Sequence, residues 1–155
     1  LHRVDRRQRQ MCIRDRDVSM NNLKTMISSE SVEQQKLFAW AEIARMIPEY
    51  KGIELMYHIP NEGKRSNYTG GKMKKEGMKN GVSDVCLPLA RGIYHGFYIE
   101  MKYGKNKLTD EQLLFLKGVK KQGYATAVCY TAEEAIRKLK LYFQLKEYQE
   151  ATNGN

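Results

Sequence analysis

The chain has 155 residues, 41% of them hydrophobic and 29% charged: enough apolar content for one packed domain, and too much for wholesale disorder. No apolar run approaches the roughly 18 residues of a membrane span or reads as a secretory signal, and Cys12, Cys86 and Cys129 form no C-x-x-C pair, which argues against a disulfide scaffold or zinc ribbon and for a reducing cytosol. Lys plus Arg number 27 against 18 Asp plus Glu, and the net charge of +9 favours a polyanionic partner, nucleic acid before membrane.

Residues 1–19 differ from the rest, with six arginines and no lysine, whereas lysine dominates from Met20 onward. The run Met11-Cys12-Ile13-Arg14-Asp15-Arg16 resembles translated adapter sequence. This segment reads as a non-native or disordered leader, with the natural start expected at Met20 or Met26. The alternative is a basic arm that touches nucleic acid. Residues 20–150 are expected to form a single domain and 151–155 a fraying tail.

Leu37, Trp40, Ala41, Ala44 and Ile47 recur at spacings of three and four, which predicts a helix over 31–47. Ser29 or Ser31 caps it, Glu33 sits in its first turn and Pro48 ends it. Ile53, Leu55, Tyr57 and Ile59 alternate, which predicts a strand over 53–59. Residues 60–80 mix four glycines with Lys64, Arg65, Lys72, Lys74, Lys75 and Lys79: a basic flap, with one or two helical turns over 71–77. Strands are predicted over 82–89 and 93–102, joined at Arg91-Gly92. In the second, Ile93, Phe97, Ile99 and Met101 share one face, and Tyr98, Glu100 and Lys102 the other. Thr109 and Gln112 form a T-x-x-Q capping box and open a helix that Gly123 stops. A strand over 124–130 and an amphipathic helix over 131–149 follow. The order helix-strand-strand-strand-helix-strand-helix predicts an α/β fold. Three strands form an antiparallel meander and the fourth returns parallel through a right-handed crossover. The result is a mixed four-stranded sheet flanked by helices.

Asp84, Glu100 and Lys102 carry the chemistry. Glu100 and Lys102 are two apart in a strand and share a face. If the hairpin turns about Gly92, partner numbers sum to 184, and Asp84 falls opposite Glu100. Opposed carboxylates destabilise a sheet unless positive charge lies between them. Hard oxygen ligands without a Cys/His cluster favour Mg²⁺ or Mn²⁺ over zinc. Beside a basic flap, such a site points to phosphodiester hydrolysis. The bland alternative is a solvated E-x-K pair on an amphipathic strand, and spacing alone does not separate the two.

The pieces Ile59-Pro60-Asn61-Glu62-Gly63-Lys64-Arg65, Gly81-Val82-Ser83-Asp84-Val85-Cys86-Leu87-Pro88, Gly96-Phe97-Tyr98-Ile99-Glu100-Met101-Lys102 and Leu108-Thr109-Asp110-Glu111-Gln112 occur in that order. Together they resemble the VRR-NUC domain, the virus-type replication-repair branch of the PD-(D/E)xK nucleases. The resemblance spans roughly residues 32–142 and implies a restriction-endonuclease-like fold and Mg²⁺- or Mn²⁺-dependent DNA cleavage. It makes Asp84, Glu100 and the Met101 backbone carbonyl metal ligands and Lys102 the catalytic lysine. It matches Glu33 to the family's helix-one glutamate, a further ligand directly or through water, and Gln112 to its post-core glutamine. The usual proline before the aspartate is here Ser83. Stand-alone viral and bacterial members of this size are associated with homodimers acting on branched DNA such as four-way junctions. A cytoplasmic enzyme follows, in the host cytoplasm if phage-encoded, whereas large multidomain relatives act as flap nucleases in DNA repair.

Asn61, Lys64, Arg65, Lys72, Lys74 and Lys75 are the expected phosphate contacts. The capping box explains Gln112 equally well without catalysis, and the helix dipole explains Glu33. His58 and His95 read as structural. The apolar side chains of the last helix, Ile136, Leu139, Tyr142, Phe143 and Leu145, offer core and a subunit interface.

Overall fold

The computed structural model describes residues 29–60 and 67–148. Its elements are α1 (Glu30–Ala44), β1 (Tyr57–His58), α2 (Asn67–Lys75), β2 (Val85–Leu87), β3 (Phe97–Met101), α3 (Asp110–Lys121), β4 (Ala125–Cys129) and α4 (Ala132–Phe143). The expected leader and tail, and residues 61–66 of the flap, lie outside the described residues.

α1 starts where Ser29 Oγ accepts the Val32 N–H at 3.3 Å. It ends ahead of Pro48, which opens a short 3-10 turn at Pro48–Tyr50. Leu37, Ala41 and Ala44 form its buried stripe. The sheet order is β1-β2-β3-β4. β1–β2 and β2–β3 are antiparallel, and β3–β4 is parallel with α3 as the crossover. Val85 pairs with Ile99, Cys86 with Tyr98 and Leu87 with Phe97, the register expected from a turn about Gly92.

Alternation then sorts the side chains. Phe97, Ile99 and Met101 join Leu37, Val85, Leu87, Leu139 and Phe143 in one core, against α1 and α4. At roughly 1.5–3 kcal/mol for each large apolar side chain buried, this wholly apolar face leaves the other face free to carry polar groups. There Tyr98 meets Phe115 of α3 edge to face, ring centroids 5.2 Å apart. Helices therefore cover both faces of the sheet.

Four expectations need correction. The strand predicted over 53–59 is only Tyr57–His58, because Ile53–Leu55 forms a 3-10 turn in which Glu54 Oε2 accepts the Gly52 N–H at 2.9 Å. Ile93 is 83% exposed rather than on the core face, because the tight Arg91–Tyr94 turn takes it out of the strand. The helical part of the flap begins earlier than expected, at Asn67. The last helix stops at Phe143, because the following segment folds back: Gly92 N–H donates to the Lys146 carbonyl at 2.7 Å and Arg91 reaches Glu147. Leu139, Tyr142 and Phe143 are spent on the core, so the apolar surface of α4 is narrower than its sequence suggests.

Candidate active site

Continued by one residue past the Val85–Ile99 pair, the β2–β3 register brings Asp84 to the level of Glu100. These residues, with Lys102 and Gln112, form a polar cluster at the end of the sheet away from the hairpin. Glu100 is 0% exposed, Lys102 5%, Gln112 5% and Asp84 6%, which excludes a solvated surface pair. Buried charges persist only when paired or compensated. Asp84 Oδ2 accepts the Met101 N–H at 2.8 Å. Lys102 Nζ donates to Glu100 Oε1 at 2.8 Å, and Gln112 Nε2 donates to the same oxygen.

Gln112 makes the capping box that its sequence context predicts and also reaches Glu100. Its Oε1 accepts the Thr109 N–H at 3.0 Å while Thr109 Oγ1 accepts the Gln112 N–H, a complete capping box. Its amide nitrogen, left over from capping, reaches Glu100. The cap thus sets the side chain that orients the carboxylate.

The electrostatics match this crowding. Burial pushes the Glu100 carboxyl up to about 7; Lys102 opposes that shift, while the Asp84 charge adds to it. Burial pulls the Lys102 ammonium down, but Glu100, Glu30 and Asp84 outweigh it and hold the group above its ordinary value. Glu100 Oε2 is buried and has no hydrogen-bond partner among the described residues. An orphaned carboxylate oxygen beside a second carboxylate suits a hard divalent cation, which would satisfy the oxygen and separate the charges. Among the described residues, no three His, Cys, Asp or Glu side chains converge.

Helix α1 carries two glutamates near the sheet, and Glu33, the one expected at the site, turns to the start of α4. Glu33 Oε2 accepts the Ala132 N–H at 2.8 Å, satisfying the exposed start of α4, and its Oε1 accepts from Lys36 at 2.7 Å. Glu30, one turn earlier, lines a cleft of about 390 Å³ with Gln34, His58 and Asp84, and its charge acts on both Glu100 and Lys102. The signal was available: Glu30 lies seven residues before Leu37, in line with the buried stripe Leu37, Ala41 and Ala44. Lys36 and then the Ala132 N–H hold the Glu33 carboxyl below its ordinary 4.5. A depressed pKa stabilises the fold above pH 4.5, and that contribution is lost as pH falls through the lowered value. Glu33→Gln should therefore cost about 1 kcal/mol at pH 7 and progressively less as pH falls below 4.5, as urea melts across that range would show.

His58, read as structural, stands at the site as a backbone clamp. Its Nδ1 lies 2.9 Å from the Asp84 carbonyl, which also accepts the Ile59 N–H at 2.7 Å. A carbonyl only accepts, so the ring donates from Nδ1. Ser83 is fully buried and its hydroxyl has no partner among the described residues. Ser83→Ala should stabilise the protein by about 1 kcal/mol, the desolvation cost recovered; a lower melting temperature would show that the hydroxyl is used.

Of the expected phosphate contacts, Lys72, Lys74 and Lys75 are exposed on α2, with Lys72 at 3.8 Å from Glu76. Asn61, Lys64 and Arg65 lie outside the described residues. His95 packs on Tyr124, away from the acid pair.

A mixed sheet whose central hairpin buries an acid–acid–lysine cluster under a helix cap defines an α/β protein with a buried polar centre. The model of the VRR-NUC domain matches residues 40–133, more than half of the sequence, and the chain belongs to the VRR-NUC domain family of nucleases. It is similar to a solved structure described as a VRR_NUC domain protein: 25% identity, TM-score 0.65, covering 78% of this chain and 93% of that one. No curated protein matches the sequence significantly.

Proposed function

We propose that this chain is a metal-dependent DNA endonuclease that hydrolyses phosphodiester bonds. The observation that carries the reading is the buried cluster of Asp84, Glu100 and Lys102, in which Glu100 Oε2 has no protein partner. Asp84, Glu100 and the Met101 carbonyl are the oxygens for Mg²⁺ or Mn²⁺, with Glu30 rather than Glu33 as the acid from helix α1. A bound cation would supply a Lewis acid for the phosphate and a water of lowered pKa.

The protein's own groups do the rest. Gln112 and Lys102 fix the orientation of Glu100, and the Met101 N–H fixes Asp84. Lys102, held as an ammonium by the carboxylates around it, neutralises charge that builds on the phosphate. Lys72, Lys74 and Lys75 of α2 take phosphates to either side. Glu30→Gln should leave the melting temperature near that of wild type and reduce cleavage about tenfold or more, since Glu30 bears on the site by charge. Unchanged turnover would remove Glu30 from the site.

Branched DNA, such as a four-way junction, is the proposed substrate and a homodimer the proposed form. The matched neighbour has a similar extent, with 93% of its chain covered. Two copies about a two-fold axis suit paired incision. Ile93, Leu141 and Leu145 are exposed apolar side chains at the hairpin end, away from the site. The buried free thiols Cys86 and Cys129 suit a cytoplasmic setting. Among the described residues, no helix is long and apolar enough to cross a membrane.

The test is cleavage of labelled four-way junction, flap, duplex and single-stranded DNA with Mg²⁺, Mn²⁺ or EDTA, beside Asp84→Ala. Metal-dependent cutting that the substitution removes is expected, strongest on the junction. Binding by both proteins with cutting by neither would make the chain a DNA-binding module instead.

A further inference from the structure

Helix α3 begins at the site, where Gln112 holds Glu100, and runs away from it, about 14 Å from Gln112 to Lys121 at 1.5 Å per residue. Its inner side is occupied: Gln112 and Leu116 are buried, and Phe115 packs on Tyr98. Its outer side carries Leu114, 70% exposed, with Lys117, Gly118 and Lys121. Lys105 and Lys107 are exposed in the loop that enters the helix.

Two features of this face have no explanation within the chain. Lys105, Lys107, Lys117 and Lys121 make no ion pair among the described residues, as Lys74 and Lys75 of α2 make none, so all are open to phosphates. Cations in a last turn suit the helix dipole, which accounts for Lys121 but not for Lys105 or Lys107. The second feature is Gly118. Glycine inside a helix is less stable than alanine. A Cβ at this position would meet nothing within 4 Å, and its φ is not positive. Neither packing nor conformation within the chain calls for glycine here. A bare backbone between two lysines leaves room for something outside the chain to approach closely.

We propose that the outer face of α3 is a second DNA-binding surface. On it, the sugar–phosphate backbone of a duplex arm seats against Gly118, with Lys117 and Lys121 on its phosphates and Lys105 and Lys107 continuing the track toward the catalytic cluster. The proposal rests on the nuclease reading and deepens it. With α2 as the flap, α3 gives the enzyme a grip on a second stretch of DNA, beyond the reach of a point contact at the scissile phosphate. A second copy of the chain is the competing occupant, and the net charge of +9 disfavours bringing two basic faces together.

The test is fluorescence anisotropy of the full chain on labelled duplex and junction DNA in EDTA, across a salt series, with sedimentation of the same samples. Lys117→Gln/Lys121→Gln should lose roughly tenfold in affinity at low salt. Its log–log salt slope should flatten by up to about 1.8, near 0.9 for each phosphate no longer neutralised. Gly118→Ala should raise the melting temperature yet weaken binding severalfold, a combination that a purely structural glycine would not produce, and Gly118→Gln should weaken it further. Unchanged affinity and salt slope in all three would overturn the proposal. So would a lower sedimenting mass in Gly118→Gln at unchanged DNA affinity, which would assign the face to a second copy. Binding is read without cleavage, so the two readings fail separately. A wild type that binds through α3 but never cuts refutes the nuclease and keeps this surface; a cutting wild type with indifferent α3 variants refutes this surface alone.

Discussion

Glu100→Gln should abolish cleavage, by a factor of about 10²–10³ or more, in a protein that still folds and still binds DNA. The substitution keeps volume and shape. The retained carbonyl oxygen still accepts from Lys102 and Gln112, as Glu100 Oε1 does now. What changes is the second oxygen, buried and without a protein partner, which becomes an amide nitrogen that cannot bind a cation. The fold loses little, because burial and the neighbouring Asp84 already disfavour the ionised carboxyl. Single-turnover cleavage measured beside anisotropy and thermal melts checks all three parts. Wild-type turnover in this variant would take Glu100 out of the chemistry.

A second large effect is expected at Gly81. Its φ is +77°, a conformation that side chains other than glycine rarely adopt. A Cβ there would lie 2.5 Å from the Glu111 backbone carbon and 2.8 Å from the Gln112 nitrogen. Both atoms belong to the first turn of α3 and cannot swing aside as a flexible side chain would. Gly81 lies three residues before Asp84, and the turn it presses on carries Gln112, which holds Glu100. Gly81→Ala should cost about 2–4 kcal/mol by urea unfolding and lower cleavage as well, since both carboxylates hang on this contact. A variant as stable as wild type would mean that α3 is not seated against this segment.

The central hairpin was legible from the sequence because a tight turn leaves few registers. With Gly92 at the bend, partner numbers had to sum to 184, and they do at Val85–Ile99, Cys86–Tyr98 and Leu87–Phe97, the pairs next to Asp84 and Glu100. The T-x-x-Q box was legible because capping is local chemistry, decided within four residues. Burial was not legible. An E-x-K pair looks the same on a wet edge as beneath a helix, and only the packed fold shows Glu100 fully buried, with Gln112 of α3 against it. Where Glu33 points was not legible either, because it turns on where helix α4 begins, a contact 99 residues away in sequence. Alternation over 53–59 misled because Ile53 is buried and Leu55 is 47% exposed for reasons of a 3-10 turn, not of a pleat. Sites built from one strand pair can be read from spacing, whereas sites completed by a distant helix need the fold.

The most direct check on the acid pair is calorimetric titration of Mn²⁺ into the protein bound to uncleaved DNA, for wild type, Asp84→Asn and Glu100→Gln. Saturable uptake by the wild type and its loss in both variants is the predicted result. Equal uptake by all three, or none by the wild type with DNA in place, would contradict a cation seated between Asp84 and Glu100.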